Sequence, residues 1–423
     1  MSYAHNLLEF IDQSSTSFHA VENLKQSLVS QNYQELEETD AWSLQKEKKY
    51  FVTRADGSII IFKTPKNWSQ QYAYHIIGAH TDSPGLKIKN NPISVSEGYQ
   101  LLNVEVYGGV LLSSWFDKDL YIGGRIVVET ETGGLESKVV TIKKRLRIPR
   151  LAIHLDREVN KQGFKPNPQE HMFPIIGLQE ELNFEDWIQK ETGITDTILS
   201  WDLFLVDAEK SSLGGLANEF IYAPRLDNLA SVHASFEALQ LAEVAENKIQ
   251  MAAYFQHEEI GSESQNGANS NFLETTLKRI HHCISSNEEE FFRVIARSFF
   301  ISADMTHAVH PSYSSKHDKH HKPHIGKGPV IKSNANMRYA TDAFSIAHFK
   351  QWCNQANVPF QDFCSRNDIG CGSTIGPMTA AKLGIPTIDI GNPMLSMHSI
   401  REMCGVHDHD FIIKVFREYF TSK

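Results

Sequence analysis

The architecture this sequence predicts is an α/β fold: a central mixed sheet flanked by helices, interrupted by an inserted β-rich domain. Three observations predict it. After about residue 220, short apolar runs alternate with amphipathic helical segments, the pattern of a sheet covered by helices. A buried strand, "YAYHIIGAH", lies far upstream of that region, so the sheet draws on both ends of the chain. Between them, from about residue 92 to 220, the texture is β-branched and alternating, with little helical period. The expected division is a first part of the α/β domain at 1–91, an inserted β-rich domain at 92–220 and a second α/β part at 221–423. A length of 423 residues accommodates more than one domain.

The elements follow in order. "NLLEFIDQ" and "FHAVENLKQSLVSQ" read as helices, the second behind a Ser/Thr cap around Thr16 and Ser17. "YFVTRADGSIIIFKTP" is a hairpin turning at Asp56-Gly57. "YAYHIIGAHTDS" is a short buried strand that ends abruptly in polar residues. "ISVSEGYQLLNVEVYGG", "GGRIVVETETGGLESKVVTI" and "WDLFLVDAE" supply the strands of the insert, with Gly-Gly turns and little core of its own expected. The basic run "KKRLRIPR", Lys143 to Arg150, reads as a solvated strand alternating with Leu146 and Ile148. "DNLASVHASFEALQLAEVA" is an amphipathic helix. Strands and helices then alternate through "IQMAAYF", "NSNFLETTLKRIHHCI", "SFFISADM", "DAFSIAHFKQWCNQA", "PFQDFC", "GPMTAAKLG" and "IPTIDIG" to a final helix from about His409.

Composition narrows the function classes. Hydrophobic residues make up 41% and charged residues 22%, an ordinary globular balance. The net charge of -10 and pI near 6.1 argue against nucleic acid or an anionic membrane as the main partner. No run of ~18 apolar residues is present to span a bilayer, and the amino terminus lacks the apolar core of a signal peptide. Five cysteines without paired spacing point to reduced thiols and a cytoplasmic location.

Ligands of open α/β sheets bind beyond the carboxyl ends of the strands. After "YHIIGA" come His80 and Asp82; just before a helix comes Asp227; after "MAAYF" come His257, Glu258 and Glu259. After "FFISA" come Asp304 and His307, and after "PTIDIGNPMLSM" comes His398. Converging carboxylates raise one another's pKa unless a cation sits among them. Imidazole with carboxylate suits Zn²⁺, with Mn²⁺ or Co²⁺ as substitutes. The helical zinc motif H-E-x-x-H is ruled out, because the fourth residue after His257 is Gly261. Any further ligands therefore come from elsewhere in the chain.

At these residues the sequence resembles the aspartyl aminopeptidase family of dinuclear zinc exopeptidases. The matching segments are "GAHTDSPGLKIK", "HLDR", "APRLDNL", "HEEIGSES", "SADMTHAVHPSY", "VIKSNANMRYATD", "CGSTIGP" and "SMHSIREMCG", in family order. The resemblance implies two Zn²⁺ per subunit, bridged by Asp227. His80 and Asp304 would complete one site and Glu259 and His398 the other. Asp82 would orient His80 from behind. Glu258 would be the general base that takes a proton from the attacking water and passes it to the leaving amine. The implied activity is removal of Asp or Glu from peptide amino termini, with Lys332, Tyr339 and His307 in the substrate pocket. The insert would serve association, His154 reaching a neighbouring subunit's site, with dimers building a tetrahedral dodecamer. Two positions depart from the family: Ser17 stands where proline is frequent, and Gln256 where aspartate is.

Other readings are an aminopeptidase of neutral specificity or a deacylase of the same architecture, a non-catalytic assembly protein, and a two-metal phosphoesterase. The intact set of ligands disfavours the assembly protein, and the scarcity of basic residues in the motifs disfavours the phosphoesterase. The histidine-rich run from His307 to His324 reads as a solvated loop beyond His307, and His281, His282 and His407 to His409 as helix-surface or capping residues.

Overall fold

The computed structural model describes residues 3–68, 71–178 and 182–422. Its centre is a mixed sheet of nine strands. Four central strands, Lys248–Phe255, Ala73–His80, Phe299–Ala303 and Thr387–Gly391, run parallel in that order. Every residue of Ala73–His80 is buried, as expected for a parallel strand covered on both faces. On one side the sheet continues antiparallel into the hairpin of Ser58–Lys63 and Lys49–Arg54. That hairpin turns through Ala55 and Asp56, both at positive φ. On the other side, Val330–Ser333 joins antiparallel and carries Gln361–Cys364.

Helices Ser17–Ser30, Leu226–Leu241, Ala343–Gln355 and Val406–Thr421 form one apolar layer with the sheet, around Val232, Phe349 and Phe416. Phe272–Ile284, Glu288–Arg297 and Ile375–Leu383 form the other, around Phe272, Leu277 and Phe300. Thr16 occupies the cap of its helix, but its hydroxyl bonds Nδ1 of His19 at 2.9 Å rather than a backbone N–H. The final helix starts at Val406. Within the described residues no helix is long and apolar enough to cross a membrane.

The insert is a six-stranded antiparallel sheet whose strands lie between Gly85 and Asp207. It has a core of its own, correcting the expectation of little core: Leu86, Ile88, Leu120, Ile122, Ile126 and Leu203 are buried against Phe184 and Ile188 of helix Phe184–Thr192. The helix that closes this core, through Phe184, Trp187 and Ile188, was not among the elements expected from the sequence. Gly123 and Gly124, expected at a turn, lie inside strand Leu120–Glu129. A Cβ on Gly124 would meet the carbonyl of Asp202 at 2.1 Å, so close strand packing demands glycine there. Ser212–Gly214 and Phe220–Ala223 belong instead to a five-stranded sheet with Glu402–Gly405, Pro393–Leu395 and Thr306–His307, which the sequence did not foretell.

Two histidines expected on helix surfaces lie in the core. His281 bonds the hydroxyl of Tyr72 at 2.7 Å, and His409 bonds His233 at 2.9 Å.

Candidate metal centre

The register of the parallel strands brings their carboxyl ends to one edge: His80 pairs with Phe255, and Ala303 with Ile390. The residues just past these ends therefore meet. Asp227 arrives at the start of helix Leu226–Leu241, held by Ser83 Oγ donating to its carbonyl at 2.7 Å. Asn228, next in sequence, donates to the carbonyl of Ala303 at 2.8 Å.

Each oxygen of Asp227 faces a different imidazole. Oδ1 lies 3.3 Å from Nε2 of His80, and Oδ2 lies 3.5 Å from Nε2 of His398. Asp304 Oδ1 is 3.5 Å from the same nitrogen of His80, and Glu259 Oε2 is 3.5 Å from the same nitrogen of His398. These spacings exceed an ordinary N–H···O bond of about 2.7–3.2 Å. They match two ligands at the corners of a zinc tetrahedron, which sit about 3.3–3.4 Å apart when each bond is about 2.0–2.1 Å. Ligand atoms of His80, Asp227 and Glu259 lie within 4.8 Å of one another, the one such group of three among the described residues. Asp227 Oδ1 and Glu259 Oε1 are buried without a hydrogen-bond partner, which is costly for a carboxylate unless a cation completes it.

The imidazoles are oriented to match. His80 Nδ1 bonds the carbonyl of Asp82 at 3.1 Å, and His398 Nδ1 bonds the carbonyl of Gly109 at 2.9 Å. Each Nδ1 therefore carries the proton, and each Nε2 presents its lone pair to the cluster. Asp82 thus holds His80 through its main chain; its carboxylate is 3.6 Å from that ring. The Asp82 side chain instead accepts from the backbone N–H of Glu258 and of Glu259, at 3.2 Å each, and from the hydroxyl of Tyr107 at 2.7 Å. It fixes the tight turn Glu258–Ile260, entered through His257 at φ 69°.

Electrostatics carry the same message. Burial, then Asp304, Asp82 and Asp227, push the Glu258 carboxyl up to about 8 against the pull of His80. Burial and Asp227 push Glu259 well up. Burial would depress His80, but Asp227, Asp304 and Asp82 raise it well above its ordinary value. The one ammonium in the cavity, Lys332, is 2% exposed and 3.2 Å from Asp304 Oδ2. Lys332 is the one permanent cation among four carboxylates, and without a metal the carboxylates draw the imidazoles toward their protonated form as well, His398 up to about 9, so the chemistry of the site calls for divalent metal.

The cavity, about 340 Å³, is lined by His80, Asp227, Glu258, Glu259, Asp304 and His398, with His307, Lys332 and Tyr339 on its far wall. Of the expected site residues only Asp82 and His154 fall outside the lining: Asp82 lies directly beneath it, and His154 is exposed on a turn of the insert.

Sequence reasoning missed the partners of this cluster. Glu402 accepts from the N–H of His398 at 2.8 Å and of Asp227 at 3.1 Å, tying both segments together. Tyr107, Gly108 and Gly109 reach in from the insert. A Cβ on Gly108 would stand 3.1 Å from Glu259 Cβ, and one on Gly109 3.2 Å from His398 Nδ1. The signal for these was present in "VYGG" and "SIREM", yet nothing local distinguishes a turn glycine from one against a metal ligand. Ser17 and Gln256, the two positions expected to depart from the family, touch each other: Gln256 Nε2 donates to Ser17 Oγ at 2.7 Å, while its Oε1 accepts from Asn266 at 2.8 Å.

Imidazoles and carboxylates converging at the carboxyl edge of a parallel core define a metal-dependent hydrolase of the α/β class. Residues 10–420 match the family described as Aminopeptidase I zinc metalloprotease (M18), and the chain belongs to that family. It is 43% identical to a "Probable M18 family aminopeptidase 2" of Clostridium acetobutylicum, over 100% of this chain and 99% of that one. It is 42% identical to "Aspartyl aminopeptidase 4" of Saccharomyces cerevisiae, over 99% of this chain and 94% of that one. Among solved structures, the Ape4 chain of the Ape4 and Nbr1 complex superposes with a TM-score of 0.94 at 40% identity, over 99% of this chain and 85% of that one. The protein is a metallo-aminopeptidase, and zinc is the metal of its family.

Proposed function

We propose that this aminopeptidase removes Asp and Glu from the amino termini of peptides, using two zinc ions per subunit that His80, Asp227, Glu259, Asp304 and His398 would hold. The observation that carries the metal count is the opposed pairing of Asp227: one oxygen toward His80 and Asp304, the other toward His398 and Glu259. Such an arrangement offers each ion an equivalent set of one imidazole and two carboxylate oxygens, and Mn²⁺ or Co²⁺ would also suit it. Bound there, the ions supply Lewis acidity and lower the pKa of water.

The chain's own residues do the rest. Glu258, on a turn pinned by Asp82, is the base that takes a proton from the attacking water and returns it to the departing amine. Its neighbour Glu259 projects toward His398, so adjacent glutamates divide the roles of base and ligand. Lys332 and Tyr339 form the wall for the first residue's side chain, with His307 beside them. Lys332 would share its charge between Asp304 and a substrate carboxylate. Only an unblocked terminal residue places its amine beside the carboxylates, which accounts for exopeptidase action. The 42% identity to a yeast aspartyl aminopeptidase supports the acidic preference.

We also infer a homo-oligomer assembled through the inserted domain, with dimers building a tetrahedral dodecamer, and a cytoplasmic location. Saccharomyces cerevisiae mApe1, 26% identical with a TM-score of 0.86, forms a dodecamer. Exposed Leu151, Ile153 and Leu155 flank His154, the kind of apolar surface that another subunit covers and that would carry the imidazole toward its cavity.

The test pairs metal analysis with Glu258→Gln. The variant should keep two zinc ions per chain and lose about 10²–10⁴-fold in kcat on Asp- and Glu-leading peptides. Retained activity would remove Glu258 as the base. Parallel assays with Leu-leading and N-acyl substrates separate the neutral aminopeptidase and the deacylase.

A further inference from the structure

The metal-site cavity does not end at its far wall. Past His307, Tyr339, Phe363 and Gly372, which line both, a second cavity of about 340 Å³ opens. Its chemistry is opposite to the first. The metal-site cavity presents Asp227, Glu258, Glu259 and Asp304. The second presents Lys316, His317 and Arg366, and no Asp or Glu lines it.

The three basic groups differ in how much charge they leave free. Arg366 is held by Asp368, Nε at 2.8 Å and Nη2 at 2.6 Å, and donates Nη1 to the carbonyl of Ser315 at 2.7 Å. Its guanidinium is thus fixed and largely neutralised, and it braces the turn Ser314–Lys316. His317 bonds the carbonyl of His307 at 3.3 Å through Nε2. Lys316 has no carboxylate within ion-pair distance among the described residues, so its ammonium is the unpaired charge of the cavity.

We propose that this second cavity is the subsite for the residue after the scissile bond, and that Lys316 gives it a preference for an acidic side chain there. The inference rests on the aminopeptidase reading above. An aminopeptidase has no residue upstream of the one it removes. Once the first side chain lies against Lys332 and Tyr339, a further cavity continuous with that wall is filled only by the chain on the leaving side. Phe363 and Ile369 give this residue an apolar floor, and Lys316 its charge. The protein would then favour peptides with two successive acidic residues at the amino terminus.

The experiment uses the full-length protein with zinc and two amidated tripeptides that share the first residue, Asp-Glu-Ala and Asp-Gln-Ala. At low ionic strength kcat/KM should favour the Glu peptide by about fivefold, the range of one solvent-exposed ion pair. The preference should shrink in high salt. Lys316→Ala should level the two peptides, and Lys316→Glu should reverse their order. Equal rates for the two peptides in the unaltered protein, or a preference that survives both substitutions, would overturn the subsite. Hydrolysis of Asp-p-nitroanilide by the unaltered protein, which has no amino acid after the scissile bond, reports on the aminopeptidase reading separately.

Discussion

His80 and His409 are buried to the same degree, each 1% exposed, and differ in everything else. His80 stands among Asp227, Asp304 and Asp82 and is driven toward its charged form. His409 lies between two helices against His233, with Phe10 packed on the His233 ring, and burial drives both imidazoles of that pair well toward the neutral form. Among the described residues the one carboxylate within ion-pair distance of the pair, Glu237, is 3.9 Å from His233 Nε2. Burial of an imidazole therefore says little about function. Around His80 and His398 there are more acceptors than donors, and Asp227 and Glu259 keep buried oxygens unpartnered. Around His233 and His409 one nitrogen of each ring is satisfied by the other, His409 Nδ1 stays buried without a partner, and burial alone governs the His409 ring, so the result is a core contact.

The sharpest way to break this comparison is to remove the excess of acceptors. Asp227→Asn keeps the shape but replaces one oxygen with a donor, so the residue no longer offers an anionic oxygen to each half of the site. Zinc content should fall below two per chain and kcat/KM by about 10³-fold or more, since the lost charge stabilisation amounts to several kcal/mol. Inductively coupled plasma analysis beside kinetics checks both. Full zinc occupancy with near-normal turnover would mean that the orphaned oxygens mark nothing.

Much of this contrast was legible in the sequence, and the part that was not has a physical cause. His80, Asp227, Glu259, Asp304 and His398 each follow or precede an apolar run, and parallel strands in register must bring such positions to one edge. The β-rich texture of the insert was equally plain. The five-stranded sheet was hidden because its strands are two to four residues long and come from Thr306, Pro393 and Glu402 as well as the segment before Asp227. Glu402 and Tyr107 were hidden because they act through backbone N–H groups and a second carboxylate, contacts with no sequence spacing. The buried His233–His409 contact was hidden because the hydrophobic period of helix Val406–Thr421 treats a neutral imidazole as polar, whereas burial between helices does not.

A smaller effect tests the other half of the comparison. His233 and His409 have folded pKa values depressed below the ordinary 6.5, so the unfolded chain takes up protons that the folded chain refuses. Their contribution is intact above pH 6.5 and is lost as pH falls below it, at up to about 1.4 kcal/mol per pH unit for each uncompensated proton. His75, pushed down to about 3 by burial and Lys248, and His19, pushed to about 4 by burial and Arg225, add to the same trend. Replacing both partners, His233→Phe with His409→Leu, leaves no orphaned ring nitrogen and should be near neutral at pH 7.5. It should make the acid limb of stability, followed by urea denaturation from pH 7 to 5, visibly shallower than in the unaltered protein. An unchanged slope would show that these imidazoles already accept protons in the folded state and would erase the distinction from His80.

The smallest effect is expected where histidines are most abundant. The run from His307 to His324 contains six imidazoles, and composition alone marks it as a metal tract. Its contacts do not. His321 bonds Asp318 at 2.8 Å, an exposed pair worth little, and His310 packs its ring against exposed Tyr313. Here Asp318 Oδ1 takes both local donors, the ring of His321 and the N–H of His320, and the carboxylate lies at the surface, where water serves its other oxygen, so no buried acceptor calls for an ion. Replacing His310, His320 and His324 together with Asn should leave two zinc ions per chain and turnover within about twofold, the range expected for surface changes away from the site. Loss of an ion would place a metal in this loop and show that density of imidazoles, rather than an excess of buried acceptors, selects the site.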